Sequence, residues 1–236
     1  MYAERHPGDD LAGRVACVWH QVSEGDTTQL VVPDACVDLI WGPGGLFVAG
    51  PDTGPMPTPV AAGDTFVGIR FRPGAVGAVF GVPIHELLDR RVPLTDLLTL
   101  TLPTARTGPP DMAARLAAMR AAVLTRLREA PDTDPAAPVI ARALRLGRSV
   151  RDVAWTLGLS ERQLRRRSVA AFGYSPKTLQ RIARFQRALT LARAGVPPAE
   201  VAARAGYADQ AHLSHDVRRL SGVPLGRLVS SVRHLP

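Results

Sequence analysis

Cysteine is nearly absent from this chain, and lysine more so. Cys17 and Cys36 are the only two cysteines in 236 residues. They make no metal-ligand spacing and no disulfide framework, so both read as buried free thiols. Aromatic residues supply 5% of the chain. No run of about 18 apolar residues occurs, which argues against a membrane-spanning helix. Met1 to Leu11 carry acids, a proline and a glycine where a secretory leader needs an apolar stretch, so the expected compartment is the cytoplasm. A Ser/His/Asp order, a phosphate loop, an HExxH pair and a paired-cysteine motif are all missing. Catalysis is therefore not expected, and no catalytic residue, cofactor or metal is assigned. His20 stands alone in its stretch of chain, whereas a barrel metal site wants several His or Glu ligands.

What is present is base, unevenly placed. The net charge is +8, yet residues 1–103 hold 6 basic against 12 acidic side chains, and residues 141–236 hold 18 against 5. Lys177 is the only lysine. Abundant Ala, Gly and Pro suggest a coding bias that also favours arginine, so the clustering carries more weight than the content. A basic region beside an acidic one points to a polyanion that meets the basic region alone.

Three regions follow from the patterning. From Val15 to Phe71, short apolar runs alternate with turn clusters such as Gly42-Pro43-Gly44-Gly45 and Gly50-Pro51. In the first run Val15, Cys17 and Trp19 alternate with Ala16, Val18 and His20. The spacing predicts an antiparallel sandwich or small barrel. Helical patches are expected over Pro83–Leu88 and Thr95–Leu98. Residues 104–138 read as a linker whose prolines bracket one helix, with Leu116, Met119, Val123 and Leu127 at helical steps. That helix packs on the barrel, links the domains or pairs with its copy in a dimer. From residue 139 onward the chain reads as all helix.

The helical region repeats itself about every 50 residues, each copy a short helix, a tight glycine turn and a second helix. In the first copy Val150, Val153, Ala154 and Leu157 share one face, Gly158 turns the chain, and Ser160 caps the next helix. That helix buries Leu164, Val169 and Phe172 and shows Arg162, Gln163, Arg165, Arg166 and Arg167 to solvent. Arginine and glutamine are the side chains that read guanine and adenine edges in pairs of hydrogen bonds. In the second copy Gly206 turns, Asp209 caps, and Leu213, Val217 and Leu220 point inward. Gln210, His212, Ser214, His215, Arg218 and Arg219 point outward. Ser175-Pro176 opens a connecting helix from Lys177 to Ala194, about 27 Å long. A spacer of that length suits two reading helices about 34 Å, one turn of B-DNA, apart.

Ser149-Val150-Arg151-Asp152-Val153-Ala154 with Gly158-Leu159-Ser160, then Gly173-Tyr174-Ser175-Pro176, then Val201-Ala202 with Gly206-Tyr207-Ala208-Asp209-Gln210-Ala211-His212-Leu213, resemble the AraC/XylS family of bacterial regulators. The resemblance covers roughly residues 140–232 and implies that both reading helices enter the major groove on one DNA face. It places Arg162 and Arg166 at base-reading positions in the first unit, and Gln210, Ala211 and His215 in the second. Ala211 and His215 depart from the longer side chains common in the family, and Val217 and Leu220 replace its usual aromatic core residues. The second unit is therefore expected to lean on phosphate contacts, and Ser160 and Lys177 complete the expected DNA-contacting set.

Residues 1–103 resemble the uncharacterised domain that precedes some AraC-type DNA-binding domains, on Val32-Pro33-Asp34-Ala35-Cys36-Val37-Asp38-Leu39-Ile40 and Gly68-Ile69-Arg70-Phe71-Arg72-Pro73-Gly74-Ala75. This implies a cupin-like barrel sensor. Candidate effector-binding residues are Trp19, Cys36, Asp38, Trp41, Arg70 and Arg72. Arg70 and Arg72 either meet an anionic effector or pair with Asp34, Asp38 or Asp64. Fold-level analogy names no ligand.

The expected fold class is α+β: a small antiparallel β-barrel with flanking helices over 1–103, a one-helix linker over 104–138, and an all-α double helix-turn-helix domain over 139–236. The expected function is sequence-specific transcription regulation governed by an effector in the barrel. The alternative is a ligand-independent or architectural DNA-binding protein whose first domain serves dimerisation or a protein partner. The expected partners are double-stranded DNA, a small-molecule effector, RNA polymerase and a second copy of the chain, with no membrane.

Overall fold

The computed structural model describes residues 1–77, 79–97, 111–129 and 133–232. Eight strands come first: β1 (Tyr2–Arg5), β2 (Val15–Val22), β3 (Thr27–Val31), β4 (Val37–Gly42), β5 (Gly45–Ala49), β6 (Met56–Val60), β7 (Thr65–Phe71) and β8 (Arg91–Pro93). Six of them form one antiparallel sheet in the order β1-β2-β7-β4-β5-β8, and β3 pairs with β6 in a separate ribbon.

Neighbouring side chains alternate between the two faces of this sheet, but a bulge between Val15 and Cys17 breaks the alternation expected for β2 and puts Val15 on the face of Val18, away from Cys17 and Trp19. Val18, Ile69, Leu39, Val48 and Val92 lie opposite one another across five strands, and all are buried. Against this apolar face packs α1 (Met112–Glu129), through Met119 and Val123, with Leu116 and Leu127 alongside. Packing on the sheet, one of the fates expected for that helix, is observed. The other face is polar and carries Glu4, Cys17, Trp19, Asp38 and Arg70 on neighbouring strands. Trp19 lies flat over Gly68, where an added Cβ would come within 2.1 Å of the indole, so only glycine fits.

The expected helical patches are single 3-10 turns, Ile84–Leu87 and Leu94–Asp96. Each follows a proline and ends where Leu88 or Leu97 takes an extended backbone, which stops propagation. Leu98, the Pro/Gly/Thr stretch over 103–110 and Pro131 lie outside the described residues.

The helical part contains α2 (Ala136–Arg145), α3 (Val150–Thr156), α4 (Glu161–Phe172), α5 (Pro176–Arg193), α6 (Pro198–Ala205), α7 (Gln210–Ser221) and α8 (Leu225–Val232). One apolar core joins them, with Leu164, Phe172, Ile182, Phe185, Val201, Leu213 and Val217 all buried. Ala35 from the N-terminal domain is a member of that core. It sits there at φ 65°, a left-handed backbone that disfavours a side chain. Beside it the Gln186 amide of α5 donates to the Pro33 carbonyl at 2.6 Å. The Tyr174 hydroxyl, at the start of α5, donates to the Asp52 carbonyl at 2.7 Å, and the Asp52 carboxylate takes two 2.8 Å hydrogen bonds from Arg91. The N-terminal domain thus holds the turn between α4 and α5 as well as the middle of α5.

Candidate nucleic-acid interface

Two helices present cation-rich or polar faces, and both are started by side-chain caps. In α4 the Ser160 hydroxyl accepts from the Gln163 amide at 3.2 Å, while the Gln163 side-chain oxygen accepts from the Ser160 amide at 2.8 Å. This reciprocal box satisfies two donors that the helix start leaves open. It also commits the hydroxyl of Ser160 and the amide oxygen of Gln163, leaving the Gln163 side-chain NH2 as the group free to face DNA. In α7 the Asp209 carboxylate accepts from the His212 amide at 2.7 Å.

Behind those caps the expected residues divide. Arg162, Arg165 and Arg166 are exposed and have no acidic partner among the described residues. Arg167 differs: its guanidinium is tied to Asp134, just ahead of α2, at 3.0 Å. Lys177 is exposed in the first turn of α5. On α7, Gln210, Ala211, His212, Ser214, His215, Arg218 and Arg219 are all exposed. The His212 ring stands edge-on to Tyr207 at 5.1 Å, and its Nδ1 faces the Ala208 amide, so Nε2 is the ring nitrogen turned outward. The short α3 and α6 sit behind the reading helices, turned by Gly158 and Gly206 at φ 64° and 88°. α5, 18 residues long, joins the units and spans about 27 Å.

Sequence reasoning passed over Asp216. It is a carboxylate 5% exposed on the inward side of α7, 3.5 Å from Arg181 and 3.3 Å from Arg184 of α5. The signal was an acid set within the Leu213–Val217–Leu220 stripe, and two arginines three residues apart on the connecting helix. Tyr174 was read only as part of a turn motif; its partner, Asp52, is remote in sequence.

The candidate effector residues also divide. Trp19, Asp38 and Arg70 meet on the polar sheet face: the Trp19 indole donates to Asp38 at 2.7 Å, and the Arg70 Nε lies 3.2 Å from the same carboxylate. Asp34, at 3.8 Å, and Glu4, at 3.6 Å, also surround Arg70. Of the two readings of Arg70, internal pairing is the one the structure shows. Cys36 adjoins this group, its amide donating to the Asp34 carboxylate at 2.8 Å. Burial is the main cause raising the Asp38 carboxyl to about 6 and the Cys17 thiol to about 11, and it pushes Cys36 well up too. Thiols held protonated in this way are poor nucleophiles. Trp41 lies on the opposite sheet face with the Arg115 guanidinium 5.7 Å from its ring centre. Arg72 donates to the Ala12 carbonyl at 2.9 Å, away from the cluster. A cavity of about 360 Å³ lies where β1 and β2 face the first turn of α1, lined by Arg5, Val18, Trp19, His20, Met112 and Leu116 among others.

Two capped, exposed helices on one spacer, each braced by a short helix behind a glycine turn, define a double helix-turn-helix DNA-binding protein. Residues 153–230 match the family described as Helix-turn-helix domain, and residues 3–93 match a Domain of unknown function (DUF6597). The C-terminal region thus matches a helix-turn-helix domain, which supports a DNA-binding regulator, and the N-terminal region matches a family without an assigned function. No curated protein matches the chain. Among solved structures, it is similar to the C-terminal domain of AraT, a response regulator from Geobacillus stearothermophilus, with 24% identity over 39% of this chain and 84% of that one and a TM-score of 0.35. It is also similar to ToxT from Vibrio cholerae, with 9% identity over 97% of this chain and 98% of that one and a TM-score of 0.48. No helix among the described residues is long and apolar enough to cross a membrane.

Proposed function

We propose that this protein is a sequence-specific transcription regulator that grips one face of double-stranded DNA with α4 and α7, and whose N-terminal domain governs the grip in response to a small-molecule effector. The observation that carries the DNA reading is the split among the arginines. Arg70, Arg91, Arg120, Arg167 and Arg184 are each tied to a carboxylate, whereas Arg162, Arg165 and Arg166 stand exposed and unpaired among the described residues behind a helix cap. Bare guanidinium groups on the first turns of a protruding helix suit guanine edges and phosphates. Arg162 and Arg166 take base-reading positions in the first unit, Gln210, Ala211 and His215 in the second. Ser160, Gln163, Arg165, Lys177, His212, Ser214, Arg218 and Arg219 line the backbone-facing remainder.

Effector control is supported by the Ala35, Gln186 and Tyr174 contacts, through which any shift in the N-terminal domain reaches α5 directly. The domain frame is a sensor over 1–103, a linker over 104–138 and a DNA-binding domain over 139–236, acting in the cytoplasm with RNA polymerase and a second copy of the chain as further partners. The internal pairing of Arg70 favours a second reading, in which the N-terminal domain is a fixed scaffold without a ligand. In vitro selection of DNA bound by the full chain tests the main proposal: a motif with two separated blocks supports it, and sequence-indifferent binding refutes it. Thermal shift of the full chain against a metabolite library separates the readings, since a bound ligand raises the melting temperature by mass action.

A further inference from the structure

The two reading helices share a feature that their caps make easy to align. Ser160 caps α4 and Asp209 caps α7. Arg167 and Asp216 each stand seven residues beyond their cap, at the same position of the repeat. Both leave the reading face to make an ion pair outside their own helix-turn-helix unit. Arg167 meets Asp134 at 3.0 Å, and Asp216 meets Arg181 and Arg184 of the spacer helix at 3.5 and 3.3 Å. The charges are opposite and the partners unrelated, so the common element is the position.

We propose that Asp216 is a positioning residue that fixes the separation and rotation at which α7 meets DNA, with Arg167 doing the same for α4. The inference rests on the DNA-binding reading above. A buried carboxylate between two arginines is a poor device for stability alone, because well-packed apolar side chains do as well or better in such places. It is a good device for register. Leu213, Val217 and Leu220 give α7 an apolar stripe that tolerates small slides along α5. A carboxylate reached by two guanidinium groups one helical turn apart does not tolerate them. Arg184 also stacks over the Tyr207 ring, 4.5 Å from its centre, and Tyr207 meets His212 edge-on at the start of α7. The fix at Asp216 thereby extends to the end of the helix that enters the groove. Asp216 refers α7 to the 18-residue spacer, while Asp134 refers α4 to the start of α2, which packs on that same spacer, so an error in seating α7 becomes an error in the distance between the two blocks of the DNA site.

The test is binding of the full chain to DNA sites in which the two blocks are moved apart or together one base pair at a time. The wild type should prefer one spacing over its neighbours by about tenfold, the cost of one well-placed contact. Asp216→Asn should reduce that preference to about threefold or less and weaken binding at the best spacing by about tenfold, with base preferences in the first block unchanged. Arg181→Gln, which leaves the Asp216–Arg184 pair in place, should give an intermediate flattening and carries the test if Asp216→Asn fails to fold. A purely structural role would lower the melting temperature and leave the spacing profile sharp. A sharp profile in Asp216→Asn, or in Arg181→Gln where Asp216→Asn does not fold, overturns the proposal while the DNA-binding reading stands. A wild type with no spacing preference overturns the joint grip, and this proposal with it.

Discussion

Salt should separate the arginines that face DNA from those that only look as though they do. Arg162, Arg165 and Arg166 on α4, Lys177 on α5, and Arg218 and Arg219 on α7 are exposed and unpaired among the described residues. If these six cations each neutralise a phosphate or displace its counterion, log K should fall against log salt with a slope of about −5. Affinity would then drop about a thousandfold between roughly 50 and 200 mM salt. The perturbation that makes this specific is a pair of single substitutions. Arg165→Ala should make the slope shallower by about 1. Arg167→Ala, one helical step away in type and two in sequence, should leave the slope unchanged because its charge is already held by Asp134 at 3.0 Å. Fluorescence anisotropy on a labelled operator across a salt series measures both. A wild-type slope shallower than about −2, or equal changes for the two variants, would refute the assignment of which arginines are free.

Three further outcomes follow from the contacts described. Tyr174→Phe removes the hydroxyl that donates to Asp52 at 2.7 Å and strands that carbonyl; it should cost about 1–3 kcal/mol, read as a lower melting temperature, and an unchanged melt would show that the contact between the domains is not made in solution. Asp38, buried, titrates near 6 in the fold against 3.8 in the open chain, so its contribution to stability is full below about pH 4 and is lost as pH rises through about 6. The melting advantage of wild type over Asp38→Asn should accordingly shrink between those pH values, and a constant or growing advantage would contradict the buried placement. Gly68→Ala would push a methyl against Trp19, a 2.1 Å approach in the present geometry; it should destabilise by about 1–3 kcal/mol and shift the tryptophan emission, and a neutral result would mean the indole lies elsewhere.

The local elements were largely legible in the sequence because their causes are local. Ser160, Ser175 and Asp209 each cap the helix that follows, and Gly158 and Gly206 take positive φ at the turns where only glycine is comfortable. The strand at Val15 to Val22 was legible too, but not its faces, because a bulge between Val15 and Cys17 shifts Val15 onto the side of Val18. What was not legible depends on residues far apart in the chain. Arg167 reads as a surface arginine until Asp134 is beside it, and Trp41 stands with Trp19 as a candidate effector contact until the register puts it on the opposite face, against the core. Gln163 shows the same limit in miniature, since one residue type serves equally for reading adenine and for closing a capping box. Asp216 is the clearest case: a pattern of apolar periodicity records the stripe and treats the acid within it as noise.

The placing of Ala35 in the helical core has a bearing on how such proteins can be recombined. Regulators are often pictured as a reader and a sensor that evolution exchanges freely. Here the N-terminal domain contributes an apolar residue to the helical domain's interior, and Gln186 and Tyr174 of the helical domain use N-terminal carbonyls to satisfy their own polar groups. A transplanted C-terminal half would carry an open socket and two orphaned donors. Productive chimeras of this chain would have to inherit the Pro33–Cys36 loop and Asp52 together with α5, so the heritable unit is the seam as much as either domain.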